Sequence, residues 1–119
     1  MTSACSFPKS VRLLCRTDFL AVQNSRHRVV ASRVVFFLLK NELGRFRVGF
    51  TVSRKFGCAV QRNRIRRRLR EAIRSALPLL ATFPIDVVVL PRDGVQTADF
   101  GDLQSDIGRL VRHLRERSL

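Results

Sequence analysis

The sequence predicts a small α/β sandwich whose elements run helix, strands, helix, strand, helix. Three observations predict it. Residues 33–52 hold two segments rich in β-branched and aromatic residues on either side of the turn-forming Asn41–Gly44, "NELG". Ile85–Leu90, "IDVVVL", is a short apolar run closed by Pro91 and Gly94. Between and after these segments, apolar residues recur at helical spacing over 65–76 and 100–114. At 119 residues the chain fits one domain, and a domain of that size buries roughly two-thirds of its unfolded surface, enough for a core without disulfide or metal staples.

Taken in order, residues 1–15 read as a flexible basic arm. "TDFLAVQ" then offers Thr17 as an N-cap and Phe19, Leu20 and Val22 as the apolar contacts of a short helix. A strand is expected from about Arg33 to Leu39, after a brief one near Val29. In "RFRVGFTVS" the residues Phe46, Val48, Phe50 and Val52 alternate with Arg45, Arg47, Gly49 and Thr51. This strand should form an antiparallel hairpin with the one before it, its apolar face in the core. Its other face, bearing cations and small residues, would lie open to an extended chain.

Gly57 is the place for unusual backbone geometry before the next helix. There Ile65, Leu69, Ala72, Ile73 and Ala76 fall on one arc of roughly a third of the circumference. Arg66, Arg67, Arg70 and Arg74 flank that arc, with Arg64 and Arg68 on the remainder. Leu77-Pro78 should end the helix, because a residue before proline is pushed out of the helical region. Ile85–Leu90, apolar on both faces apart from Asp86, should be a central strand. The last helix carries Phe100, Leu103, Ile107, Leu110, Val111 and Leu114 on its stripe, with acids early and arginines late, as the helix dipole favours.

Charge is the strongest functional signal. The chain has 23 basic and 9 acidic residues, a net +14, and only Lys9, Lys40 and Lys55 are lysines. Such an excess repels itself unless a polyanion neutralises it, and guanidinium binds phosphate bidentately and stacks on bases. Cys5, Cys15 and Cys58 are odd in number and widely spaced, and with His27 and His113 they make neither a zinc pattern nor a disulfide framework. They read as ordinary thiols in a reducing cytoplasm, and the two histidines as surface residues. No apolar run reaches membrane-span length.

Arg62–Arg74, "RNRIRRRLREAIR", holds seven arginines and one acid, Glu71. A solvated helix would intersperse glutamates for i,i+4 pairs, and a lipid-surface or calmodulin-target helix would keep a free apolar face. This one spends its small apolar arc on the sheet. Asn63 stands between Arg62 and Arg64 at the expected helix start, where amides and free backbone N–H groups suit a phosphate or base edge. The face reads as a nucleic-acid contact. RNA is favoured because an all-arginine face lacks the mixed polar set that reads a DNA major groove, and an open sheet face suits a single strand. Dispersed carboxylates surrounded by arginine argue against an autonomous metal-dependent nuclease.

Arg47–Arg74, "RVGFTVSRKFGCAVQRNRIRRRLREAIR", resembles the signature of the bacterial ribonuclease P protein subunit. The match comprises a strand ending in Val-Ser and a basic pair, then Gly-x-Ala-Val, then Arg-Asn-Arg and a basic helix with Arg-Glu. With "TDFLAVQ" and "IDVVVLPRDG" in the family's places for first helix and last strand, the likeness spans Phe7 to Leu114. The resemblance implies an α-β-β-β-α-β-α fold with a mixed sheet and a left-handed crossover, like the second domain of a ribosomal small-subunit protein. It implies an accessory protein of an endoribonuclease whose catalysis resides in RNA. The partners would be ribonuclease P RNA and the 5′ leader of precursor tRNA, with no membrane and no obligate protein partner. Mg2+ would serve the RNA subunit, the protein binding no cofactor itself. Arg62, Asn63, Arg64, Arg66, Arg67 and Arg70 match the family's RNA-facing motif. Phe19 matches a leader-cleft aromatic, and Ser53, Arg54 and Lys55 match the basic loop beside that cleft. The chain departs from the family at Cys58, commonly Asn, and at Gln23, where some members carry a second cleft aromatic; Phe36 or Phe37 could replace it or belong to the core. A ribosomal-type scaffold and an independent nuclease are the rival expectations.

Overall fold

A computed structural model describes residues 12–13, 16–25 and 27–117. They form α1 (Arg16–Gln23), β1 (Arg28–Val30), β2 (Val34–Lys40), β3 (Arg47–Phe50), α2 (Ala59–Leu80), β4 (Ile85–Pro91) and α3 (Phe100–Arg117), with 3-10 turns at Arg54–Phe56 and Val95–Thr97. This is the mixed α/β arrangement the sequence predicts. Apart from Arg12 and Leu13, the N-terminal arm lies outside the described residues. No described helix is long and apolar enough to cross a membrane.

The sheet order is β1-β2-β4-β3, antiparallel except for the β3–β4 pair. The hairpin expected between β2 and β3 therefore does not form, because β4 lies between them. The reason is in β4's own side chains: residues 85–89 are all buried, and a strand apolar on both faces gains most where both edges are paired and both faces covered. β3 then runs parallel to β4, which requires a long crossover, and α2 is that crossover. The hairpin that does form joins β1 to β2, with Val30 opposite Val35. Asn41–Gly44 still turns the chain, through an Asn41 Oδ1 that accepts the Leu43 N–H at 3.0 Å.

On one face of the sheet, Phe36, Leu38, Val48, Val87 and Val89 pack against Ile65, Leu69, Ala72 and Ile73 of α2 and Leu103, Ile107, Leu110 and Leu114 of α3. Each of these side chains larger than alanine contributes about 1.5–3 kcal/mol by leaving water. The predicted apolar arc of the arginine helix is thus the buried one. Phe36 is wholly core. On the opposite face α1 lays Phe19 and Val22 over Phe37, Val88 and Leu90, joined by Leu13. The Leu13 N–H donates to Val48 O at 2.9 Å, so this piece of the arm extends the sheet beyond β3.

Three local expectations are corrected. α1 starts at Arg16, which puts Thr17 inside the helix instead of at its N-cap. α2 continues through Pro78 to Leu80; the proline forfeits one backbone hydrogen bond in the final turn, but this keeps Leu80 fully buried, and Ala81 N–H closes on Leu77 O at 2.8 Å. His27 and His113 are half-buried, not surface residues, and meet Nε2 to Nε2 at 2.8 Å, tying the start of β1 to α3.

The face of β3 read as open is partly covered by α1. A Cβ on Gly49 would sit 2.3 Å from Cζ of Phe19. Gly49→Ala is expected to displace Phe19 with α1 and to cost about 1–3 kcal/mol in urea denaturation, as overpacking does. Wild-type stability would show that the helix is not seated there.

Candidate nucleic-acid interface

The interface is built from the start of α2. Gly57 turns the chain at a φ of 118° that disfavours any side chain, and Cys58 follows as N-cap. The capping is reciprocal: the Cys58 thiol accepts the Gln61 N–H, while Gln61 Oε1 accepts the Cys58 N–H at 2.9 Å. Cys58 thereby fills the capping role for which asparagine is suited. It is more than an ordinary thiol, because the N–H groups of Gln61 and then Val60, aided by the Arg62 charge, hold its pKa below the usual value. In a chain with Cys5 and Cys15 changed to serine, alkylation of the exposed Cys58 should reach half its maximal rate at lower pH than a cysteine in an unstructured peptide. Coincident profiles would contradict the capping geometry.

Because α2 begins at Ala59, its free N–H groups belong to the residues before Arg62, whose own N–H already donates to Cys58 O at 2.9 Å. Asn63 therefore acts through its side chain, and its Oδ1 accepts from Arg66 Nη1 at 2.8 Å. Arg62 is half-buried, with a buried Nε that has no acceptor among the described residues.

The helix divides its arginines between two flanks. Arg66 and Arg70 line a groove of about 150 Å³ with Arg12, Phe19, Gly49 and Phe50. A neighbouring hollow of about 330 Å³ shares Phe19 and adds Arg16, Leu20, Gln23 and Thr51. Arg64 lies beside a different hollow, with Phe56, Gln61 and Gln96, and Arg67 is exposed on the crest. Ser53, Arg54 and Lys55 are exposed around the 3-10 turn. They share neither hollow with Phe19; Thr51 does. Lys55 instead reaches Asp93 at 3.3 Å, both partners largely exposed, a pairing worth little.

Several cations are committed within the fold. Arg68 donates to the carbonyls of Val95, Gln96 and Ala98, and Arg74 pairs with Glu71. Arg47 forks onto Asp86, Nε to Oδ1 at 2.9 Å and Nη2 to Oδ2 at 2.6 Å, while Asn41 donates to the same carboxylate at 2.7 Å. The Asp86 bond, foremost, raises the Arg47 pKa further. The cationic face read on β3 is therefore neutralised at Arg47. Sequence reasoning missed Arg12 and Phe50 as groove residues; nothing in spacing marks Arg12, whose place depends on pairing with Val48.

A sheet-anchored helix that sets a row of guanidinium groups beside shallow hollows defines a polyanion-binding protein. The chain belongs to the ribonuclease P protein family, whose model, described as Ribonuclease P, matches residues 7–115. It is 37% identical over 117 residues to the ribonuclease P protein component of Citrifermentans bemidjiense, covering 98% of each chain. To that of Streptococcus pneumoniae it is 35% identical over 104 residues, covering 87% of this chain and 84% of the relative. The RNase P protein of Staphylococcus aureus superposes with a TM-score of 0.76 at 26% identity, over 88% of this chain and 95% of that one. The RNase P protein of Thermotoga maritima gives 0.75 at 29% identity, over 86% and 96%.

Proposed function

We propose that this chain is the protein component of ribonuclease P, acting in the cytoplasm as a single RNA-binding unit over residues 1–119. It binds the catalytic RNA through Arg62, Asn63, Arg64, Arg66, Arg67 and Arg70. It holds the 5′ leader of precursor tRNA in the groove beside Phe19, with Ser53, Arg54 and Lys55 at the approach. The observation that carries this reading is the arginine face of α2: its apolar arc is locked in the core, and Arg62, Arg64 and Arg67 have no carboxylate partner among the described residues.

Chemically, the protein's task is positioning. Guanidinium groups replace the counterions of RNA phosphates, bringing catalytic RNA and leader together, while the RNA with its Mg2+ hydrolyses the phosphodiester and leaves a 5′ phosphate on the tRNA. No catalytic residue and no cofactor are assigned to the protein. The test is to incubate precursor tRNA at low magnesium with the protein, with a bacterial ribonuclease P RNA, and with both. Cleavage only in the mixture is expected. Cleavage by protein alone would make it a nuclease, and tight RNA binding without stimulation would make it a scaffold.

A further inference from the structure

We infer that the hollow on the far flank of α2 takes one unpaired nucleotide of ribonuclease P RNA, its base edge read by Gln61 and Gln96 and its phosphate held by Arg64. This rests on the RNA-binding reading above and extends the interface to the β4–α3 connection. The hollow, about 160 Å³, is lined by Phe56, Gln61, Arg64, Ile65, Arg68 and Gln96. Gln61, Arg64 and Arg68 are spaced by three and four residues and so share one stripe. Arg66 follows Arg64 by two residues, about 200° around the helix. The hollow therefore opens away from the groove that holds Phe19, Arg66 and Arg70.

Its chemistry suits a base better than a bare phosphate. Phe56 and Ile65 are buried and supply an apolar wall for a flat heterocycle. The volume is below the roughly 300 Å³ at which drug-sized pockets begin, which limits the occupant to something near one ring system. Gln61 spends its Oε1 on the Cys58 N–H and keeps its NH2 group; Gln96 is exposed. The Gln96 amide carries donor and acceptor together and can pair bidentately with a base edge, while the Gln61 NH2 adds a donor. Arg64 is exposed at the rim. Arg68, by gripping the carbonyls of Val95, Gln96 and Ala98, pins the turn bearing Gln96 to α2, and the Cys58 N–H fixes the Gln61 amide. The base must be unpaired because a duplex would engage its edge and bury its face. Arg64 and Arg66, near neighbours in sequence, then serve different RNA segments.

The decisive variant is Gln96→Ala, which changes no charge and leaves the backbone carbonyl for Arg68. It should melt like wild type and bind ribonuclease P RNA about tenfold more weakly with the same salt dependence. A photo-cross-linking residue at position 96 should label the RNA subunit, and one at position 19 the leader. Wild-type affinity for Gln96→Ala overturns this inference alone. So does labelling of the leader from position 96, or no labelling there while position 67 labels the RNA. A wild-type chain that binds no ribonuclease P RNA overturns it together with the parent reading.

Discussion

Replacing Arg62 and Arg64 together by alanine is expected to weaken the complex with ribonuclease P RNA about a hundredfold, at about 1.5 kcal/mol for each charge-assisted hydrogen bond to phosphate that is removed. The wild-type complex, if six phosphates are neutralised, should lose about a thousandfold in affinity between 50 and 200 mM salt, and the double variant, with four phosphates still neutralised, about a hundredfold. Folding stability should change little, since neither arginine makes an ion pair among the described residues. Filter binding across a salt series, alongside urea denaturation, measures both. A flat salt response, or equal losses of binding and stability, would refute the assignment of these cations to phosphate.

Arg47→Ala should have the opposite signature. Asp86 has a side chain only 6% exposed, and removing its forked partner leaves a carboxylate buried in the sheet with Asn41 as its remaining described donor. Breaking such a pair from one side costs about 3–5 kcal/mol, a large share of the 5–15 kcal/mol typical of a folded domain. Urea denaturation should show that loss, while the RNA affinity of the folded protein stays within a few-fold of wild type. Replacing both partners, as in Arg47→Met with Asp86→Leu, should recover most of the stability. An Arg47→Ala chain of normal stability that binds RNA poorly would move Arg47 into the interface.

These contrasting arginines mark what the sequence made legible. The inner arc of α2 was readable because helical periodicity reports burial, and Ile65, Leu69, Ala72 and Ile73 are buried as their spacing requires. β4 was readable as central because its apolar residues do not alternate. The pairing of β2 with β4 was not: alternation tells which face of a strand is buried, never which strand lies alongside. For the same reason Arg47 looked like a free surface cation, since Asp86 lies 39 residues away in sequence. The division of α2 into two flanks depends on where α1 and the Val95–Thr97 turn pack, which no local pattern encodes.

The parallel pairing of β3 with β4 also bears on the order in which the chain can assemble. During synthesis the arginine helix leaves the ribosome ahead of Ile85–Pro91, so its greasy stripe at first has no finished sheet to rest on. β3 likewise has only the Arg12–Leu13 bridge beside it, and no link to β1 and β2, until β4 arrives. Long-range pairing of this kind slows folding. A nascent polypeptide with only its first 80 residues emerged would thus carry a highly cationic, undocked helix, and the sheet is completed by the insertion of one valine-rich strand between two that are already made, before α3 closes the core.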